Sequence, residues 1–134
     1  MPIRYINTDL DLASPADHVE LAHWLDSCGI FSLRHAQNHD GSWSSCHETE
    51  REYDDPDSNI IAIIEAIEAA PRAIRMLWDD CIQREFNVGY ECGDGPWAFN
   101  QGLTNSTLRR IVEVGASFRI TIYPPDESTD PRNT

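Results

Sequence analysis

The densest group of side chains able to do chemistry lies in residues 85–101, EFNVGYECGDGPWAFNQ. Alternation puts Phe86, Val88, Tyr90 and Cys92 on one side of a strand and Glu85, Asn87, Gly89 and Glu91 on the other. Gly93-Asp94-Gly95 reads as a hairpin turn, returning a strand in which Trp97, Phe99 and Gln101 alternate with Ala98 and Asn100. Polar groups then converge beside Gly89, whose missing side chain leaves room for a ligand, and Trp97 supplies an aromatic wall. Two carboxylates at such a place do acid–base work if burial raises one pKa, with His47 or Cys92 as accessory groups. The amides alone would make a ligand pocket. A solvated face of an antiparallel sheet carries the same alternation. Glu85, Asn87, Glu91, Trp97, Asn100 and Gln101 are therefore the candidate ligand-binding residues, and none is singled out as catalytic.

Other patterns point away from particular chemistries. Five histidines and four cysteines suggest zinc, but ligand pairs in structural zinc sites are closely spaced. His35-x-x-x-His39 straddles a strand end, His18 and His23 are five apart, and the adjacent Cys46 and His47 point to opposite sheet faces. Asp55-x-Asp57-x-Asn59 and Asn7-x-Asp9-x-Asp11 alternate oxygens as calcium loops do. They carry Ile60 and Leu12 where such a loop needs Gly, and Ala66 and His18 where it needs Glu. There is no Gly-x-Ser-x-Gly elbow, no phosphate loop and no dinucleotide fingerprint. The expectation is a chain with no metal and no cofactor that leans away from catalysis.

Charge narrows the partners. Ten Arg and no Lys stand against twenty-three acids, a net charge of −13. The surplus belongs wholly to residues 1–95, because residues 96–134 carry four acids and four Arg. Such a field repels phosphate, which argues against nucleic-acid and anionic-membrane binding. It fits either a solvated acidic surface or a face that docks a basic protein. The longest purely apolar run, residues 60–64, is far short of the roughly 20 residues that span a bilayer, and no secretion signal opens the chain. Cys28, Cys46, Cys81 and Cys92 form no Cys-x-x-Cys pair. Free thiols in a cytoplasmic protein are the expectation.

The elements that must position these residues can be read in order. Residues 3–12 alternate as a strand. Ser14-Pro15 then reads as a helix start, with Leu21, Trp24, Leu25 and Cys28 at helical spacing before Gly29. Residues 30–50 read as a hairpin with Phe31, Leu33 and His35 on one face and Asp40-Gly41 at the turn. A helix capped near Asp57 or Ser58 carries Ile60, Ile63, Ile64 and Ile67, and Pro71 starts another with Ile74, Leu77, Trp78 and Cys81. After the hairpin at 84–103, Thr104 caps a helix with Leu108, Ile111 and Val112. Gly115 stops it before a strand with Phe118, Ile120 and Ile122. The expected core is Trp24, Leu25, Phe31, Leu33, Ile64, Leu77, Phe86, Val88, Leu108, Ile111, Phe118 and Ile120. Residues 1–125 read as a single α+β domain, a two-layer sandwich with a mostly antiparallel sheet of about six strands and three to four helices on one face. Residues 126–134 read as a disordered polar tail.

The close of the chain, Phe99-Asn100-Gln101-Gly102-Leu103-Thr104, a helix, Gly115, then 118–123, resembles that of small uncharacterised bacterial α+β families. Some of these are similar to immunity proteins, which neutralise a toxin from a neighbouring cell. The likeness covers the C-terminal third and implies a binding protein, with no catalytic or ligand residues to carry over. A binding or immunity-like interaction protein is thus the first expectation. A small-ligand binder or acid–base enzyme using the 84–103 hairpin is the second.

Overall fold

Hydrophobic alternation and helical periodicity build a five-stranded sheet with four helices. The structure is a computed structural model and describes residues 2–95 and 97–125. In chain order the elements are β1 (Arg4–Ser14), α1 (Val19–Ser27), β2 (Ile30–Gln37), β3 (Trp43–Thr49), α2 (Pro56–Glu68), α3 (Arg72–Asp79), β4 (Gln83–Glu91), α4 (Asn105–Glu113) and β5 (Ser117–Tyr123). The sheet order is β2-β3-β1-β4-β5. Every pairing is antiparallel except β4 with β5, which are joined through α4. This is the expected mixed α+β sandwich, with one strand fewer than the sequence suggests.

The core lies between one face of the sheet and the helices. Leu10, Leu12, Phe86 and Val88 project from the sheet onto Leu21, Leu25, Ile60, Ile63, Ile64, Ile67 and Trp78, all buried. On α2 the isoleucines recur at i, i+3, i+4 and i+7, the one-sided stripe that a helix needs to seat on a sheet. Asp55 caps that helix by accepting from the Ser58 amide at 2.8 Å, and Pro56 stands at its first turn. Asn59, buried on the same helix, accepts from the Tyr5 hydroxyl and the Thr8 amide of β1. Its own amide donates to Thr49 of β3, which fixes the helix against two strands at once.

Arg84 organises the far end. Its guanidinium donates to the carbonyls of Trp78, Asp79 and Cys81 at the C-terminal end of α3, and to that of Gly115 after α4. The Trp78 and Asp79 carbonyls lie at the negative end of the α3 dipole, where a fixed cation is favourable.

Several sequence expectations are corrected. The strand expected at 97–101 does not form, because both sides of β4 are already taken, by β1 and by β5. Instead the chain leaving β4 turns toward the N-terminus, where the Ile3 amide donates to the Gly95 carbonyl. Ser14 is not a helix cap. It stays in the ladder opposite Trp43, and α1 begins at Val19, whose amide donates to the Asp17 carboxylate. A bulge between Ser32 and Arg34 shifts β2 by one residue, so Phe31 pairs with Glu48 on the face away from the helices. Phe31 and Leu33 are accordingly exposed, as are Leu108, Phe118 and Ile120, while Leu25, Ile64, Phe86, Val88 and Ile111 are buried and Trp24 and Leu77 pack at the core's margin. The polar tail, 126–134, lies outside the described residues.

Candidate functional site: the uncovered sheet face

Because the core occupies one side of the sheet, the alternate residues of each strand form a second face that no helix among the described residues covers. β1 contributes Asn7, Asp9 and Asp11, β3 contributes Cys46 and Glu48, and β4 contributes Glu85, Asn87 and Glu91. Asp9 stands directly opposite Glu48 on one side and Asn87 on the other, and Asp11 lies between Cys46 and Glu85. Like charges placed opposite each other across a ladder are destabilising. The Asn7 side-chain amide partly offsets this by donating to Asp9 at 3.0 Å and to Glu48 at 2.8 Å. Burial, then the Glu48 and Asp11 carboxylates, push the Asp9 carboxyl up to about 6. Burial and the surrounding carboxylates of Asp9, Asp11 and Glu48 also raise the Cys46 thiol, which stays protonated and a poor nucleophile at neutral pH.

Two clefts flank this face. One of about 280 Å³ is lined by Asp11, Arg34, Asn38, Ser44, Cys46 and Gln83. The other, about 260 Å³, runs between β1 and the segment after β3, and is lined by Asn7, Glu48, Glu50, Glu52, Tyr53 and Arg51. Glu48 thus belongs both to the crowded face and to an acidic cleft beside it. There the Arg51 guanidinium lies 5.2 Å from the Tyr53 ring centroid, a cation on an aromatic face.

The six residues marked by the sequence separate. Glu85, Asn87 and Glu91 share the uncovered face. Each is engaged there: Glu85 accepts from Arg119 at 2.7 Å, Asn87 accepts from the Thr121 hydroxyl at 2.7 Å, and Glu91 accepts from Arg4 at 2.7 Å. The space beside Gly89 is filled, since a Cβ there would meet Asn7 Oδ1 at 3.2 Å and Tyr123 Cε2 at 3.3 Å. Trp97 is 99% exposed and Asn100 is also exposed, both in irregular chain. Gln101 turns to the helix side, where its side-chain oxygen accepts from the Tyr90 hydroxyl at 2.9 Å. With Ile3, Tyr90, Cys92, Phe99, Ile120 and Ile122 it lines an apolar groove of about 360 Å³.

Alternation alone did not reveal a buried polar group under β3. Ser45 Oγ lies 2.7 Å from His18 Nε2 and 2.8 Å from His47 Nε2. His18 stacks on His35 with ring centroids 4.8 Å apart, and His35 in turn pairs with Asp17 at 2.9 Å. One hydroxyl between two neutral rings donates to one and accepts from the other, so the two imidazoles hold opposite tautomers. His47 and His18 are fully buried, and burial lowers both pKa values, that of His47 to about 4. Neither meets solvent. The sequence signal was the alternation of Trp43, Ser45 and His47, which marks one strand face without saying that the face is inside.

Among the described residues, no three His, Cys, Asp or Glu side chains stand where they could share a metal ion, and all four cysteines are free. No helix there is long and apolar enough to cross a membrane. Comparison with family models, curated proteins and solved structures finds no match.

Proposed function

We propose that this chain is a non-catalytic interaction protein that takes a basic protein partner on its uncovered sheet face, in the manner of an immunity-type protein masking a cationic surface. The observation that carries this reading is the direct opposition of Asp9 and Glu48, with Asp11 beside them, on a face without a helix. An isolated fold gains nothing from facing carboxylates, whereas a partner's Arg or Lys placed between them turns repulsion into attraction. The acidic cleft of Glu48, Glu50 and Glu52 extends the same field, and Arg51 on Tyr53 is the kind of contact a partner's guanidinium would make there. Of the histidines, His18 and His47 are sealed in the core, out of reach of a ligand on this face.

The test is titration of the labelled chain with a short Arg-rich peptide, following backbone amide shifts. The largest changes are expected on β1, β3 and residues 48–54, weakening as salt is added and lost in the Asp9→Asn/Glu48→Gln double variant. Shifts spread evenly over all acidic surfaces, or undiminished in that variant, would refute the assignment.

A further inference from the structure

The two edges of the sheet are treated differently. At the β2 edge a bulge breaks the ladder, and the Asp26 carboxylate accepts from the outward Ser32 amide at 3.0 Å. Such devices stop an edge from recruiting another strand. β5, the opposite edge, has no bulge against β4 and no proline within it, and among the described residues no side chain caps its backbone. Its single charge, Arg119, is already paired with Glu85.

The free groups of β5 can be assigned. The Tyr123 carbonyl accepts from Cys92 on the β4 side, so by the two-residue period Arg119 and Thr121 also turn their backbone groups toward β4. Phe118, Ile120 and Ile122 therefore present their N–H and C=O groups outward. The same three carry the exposed apolar side chains of the helix-side face, at 42%, 55% and 67% exposure. On the crossover helix, Leu108 and Val112 are also exposed, at 47% and 75%.

We infer that β5 is a self-association edge: two copies of the chain join their β5 strands antiparallel about a two-fold axis through Ile120, giving one continuous ten-stranded sheet. That register makes Ile120 a hydrogen-bonded pair with the partner's Ile120, and Phe118 one with the partner's Ile122, about six backbone hydrogen bonds in all. It lays the partner's Phe118 beside Ile122, at the mouth of the apolar groove that Ile122 and Tyr90 line. On the other sheet face Arg119 meets the partner's Thr121, so no like charges oppose each other.

Charge selects a second copy as the occupant. Residues 96–134, which include β5, carry four acids and four Arg, whereas the chain as a whole carries −13. This is the part of the surface where two such acidic molecules meet without repulsion.

The experiment is sedimentation velocity on the full chain, up to about 0.5 mM, a range that captures weak as well as tight dimers. The sedimenting mass is expected to approach twice the 15.2 kDa of one chain as concentration rises. Ile120→Pro removes only an outward N–H and should remain monomeric with an unchanged far-UV spectrum. Ile120→Lys, which sets two cations on the axis, should do the same and serves if the proline variant fails to fold. In a Cys28→Ser/Cys92→Ser background, Ile120→Cys should oxidise to a covalent dimer, because hydrogen-bonded antiparallel partners lie about 5.5 Å apart at Cα. Thr121→Cys should not. Asp9→Asn/Glu48→Gln should leave dimerisation unchanged, which separates this edge from the basic-partner face. A chain that stays monomeric at the highest concentration, a dimer that survives both Ile120 variants, or equal cross-linking through Thr121→Cys would overturn the proposal.

Discussion

Asp9 and Glu48 face each other across β1 and β3, bridged by the side-chain amide of Asn7. At neutral pH Asp9→Asn removes a charge that the fold holds against both burial and a neighbouring carboxylate. We expect urea denaturation at pH 7.5 to show stability raised by about 0.2–1 kcal/mol, the range for cross-strand pairs. The same change should weaken binding of the Arg-rich peptide. A loss of stability instead would mean that Asp9 is held by attractions stronger than the repulsion it faces.

Asn7→Ala should act in the opposite sense. Both amide hydrogens of Asn7 satisfy carboxylates, so its removal should destabilise by about 1–3 kcal/mol at pH 8. The loss should shrink toward pH 5, where a protonated Asp9 can itself donate to Glu48. A pH-independent effect would show that Asn7 acts through packing alone.

The buried histidines govern acid sensitivity. An unfolded His47 takes up its proton near pH 6.5, whereas the folded one resists until about 4, so the unfolded state binds more protons within that window. Stability is therefore full above pH 6.5 and falls by about 3 kcal/mol as the pH drops to 4. Protonated, the His47 ring carries an N–H on Nδ1, which has no hydrogen-bond partner among the described residues. Asp9 works the other way, since its folded pKa of about 6 lies above the ordinary 3.8 and folding takes up a proton between these values. His47→Gln should flatten the decline between pH 6.5 and 4.5, and Asp9→Asn should steepen it. Urea midpoints measured through this range decide both, and parallel curves for the two variants would refute the assignment.

Arg84→Met should be among the most damaging substitutions of a partly exposed residue. It would leave the carbonyls of Trp78, Asp79, Cys81 and Gly115 without their shared donor, at a cost of about 2–4 kcal/mol. Arg84→Lys should recover only part of this, because a single ammonium cannot reach both helix ends with a planar fork. Full rescue by Lys would show that charge alone is required.

On α4 the two apolar positions that the sequence treats alike should separate. Ile111→Ala, in the core, should cost about 2–5 kcal/mol. Leu108→Ala, at a half-exposed position, should cost less than about 1 kcal/mol in the monomer. Equal losses in thermal unfolding at low protein concentration would place Leu108 in the core after all.

What the residues determine by themselves is local. The isoleucine stripe of α2, the Thr104 cap of α4 and the alternation of Phe86 and Val88 are short-range patterns whose physics acts within a few residues, and each appears where its period places it. The tertiary structure decided which strand lies beside which. Alternation through 97–101 suits a strand equally well whether or not a neighbour exists, and both sides of β4 were already taken by partners distant in sequence. The same non-local pairing decided that Phe118 and Ile120 stand on an edge. Their apolar period is that of a core strand, but burial requires a further layer or strand, and among the described residues none lies beyond β5. The crowding of Asp9 with Glu48, and the joining of His18 to His47 through Ser45, likewise depend on register between separate strands and helices. A one-residue bulge can reverse such register, and nothing in a strand's own sequence announces it.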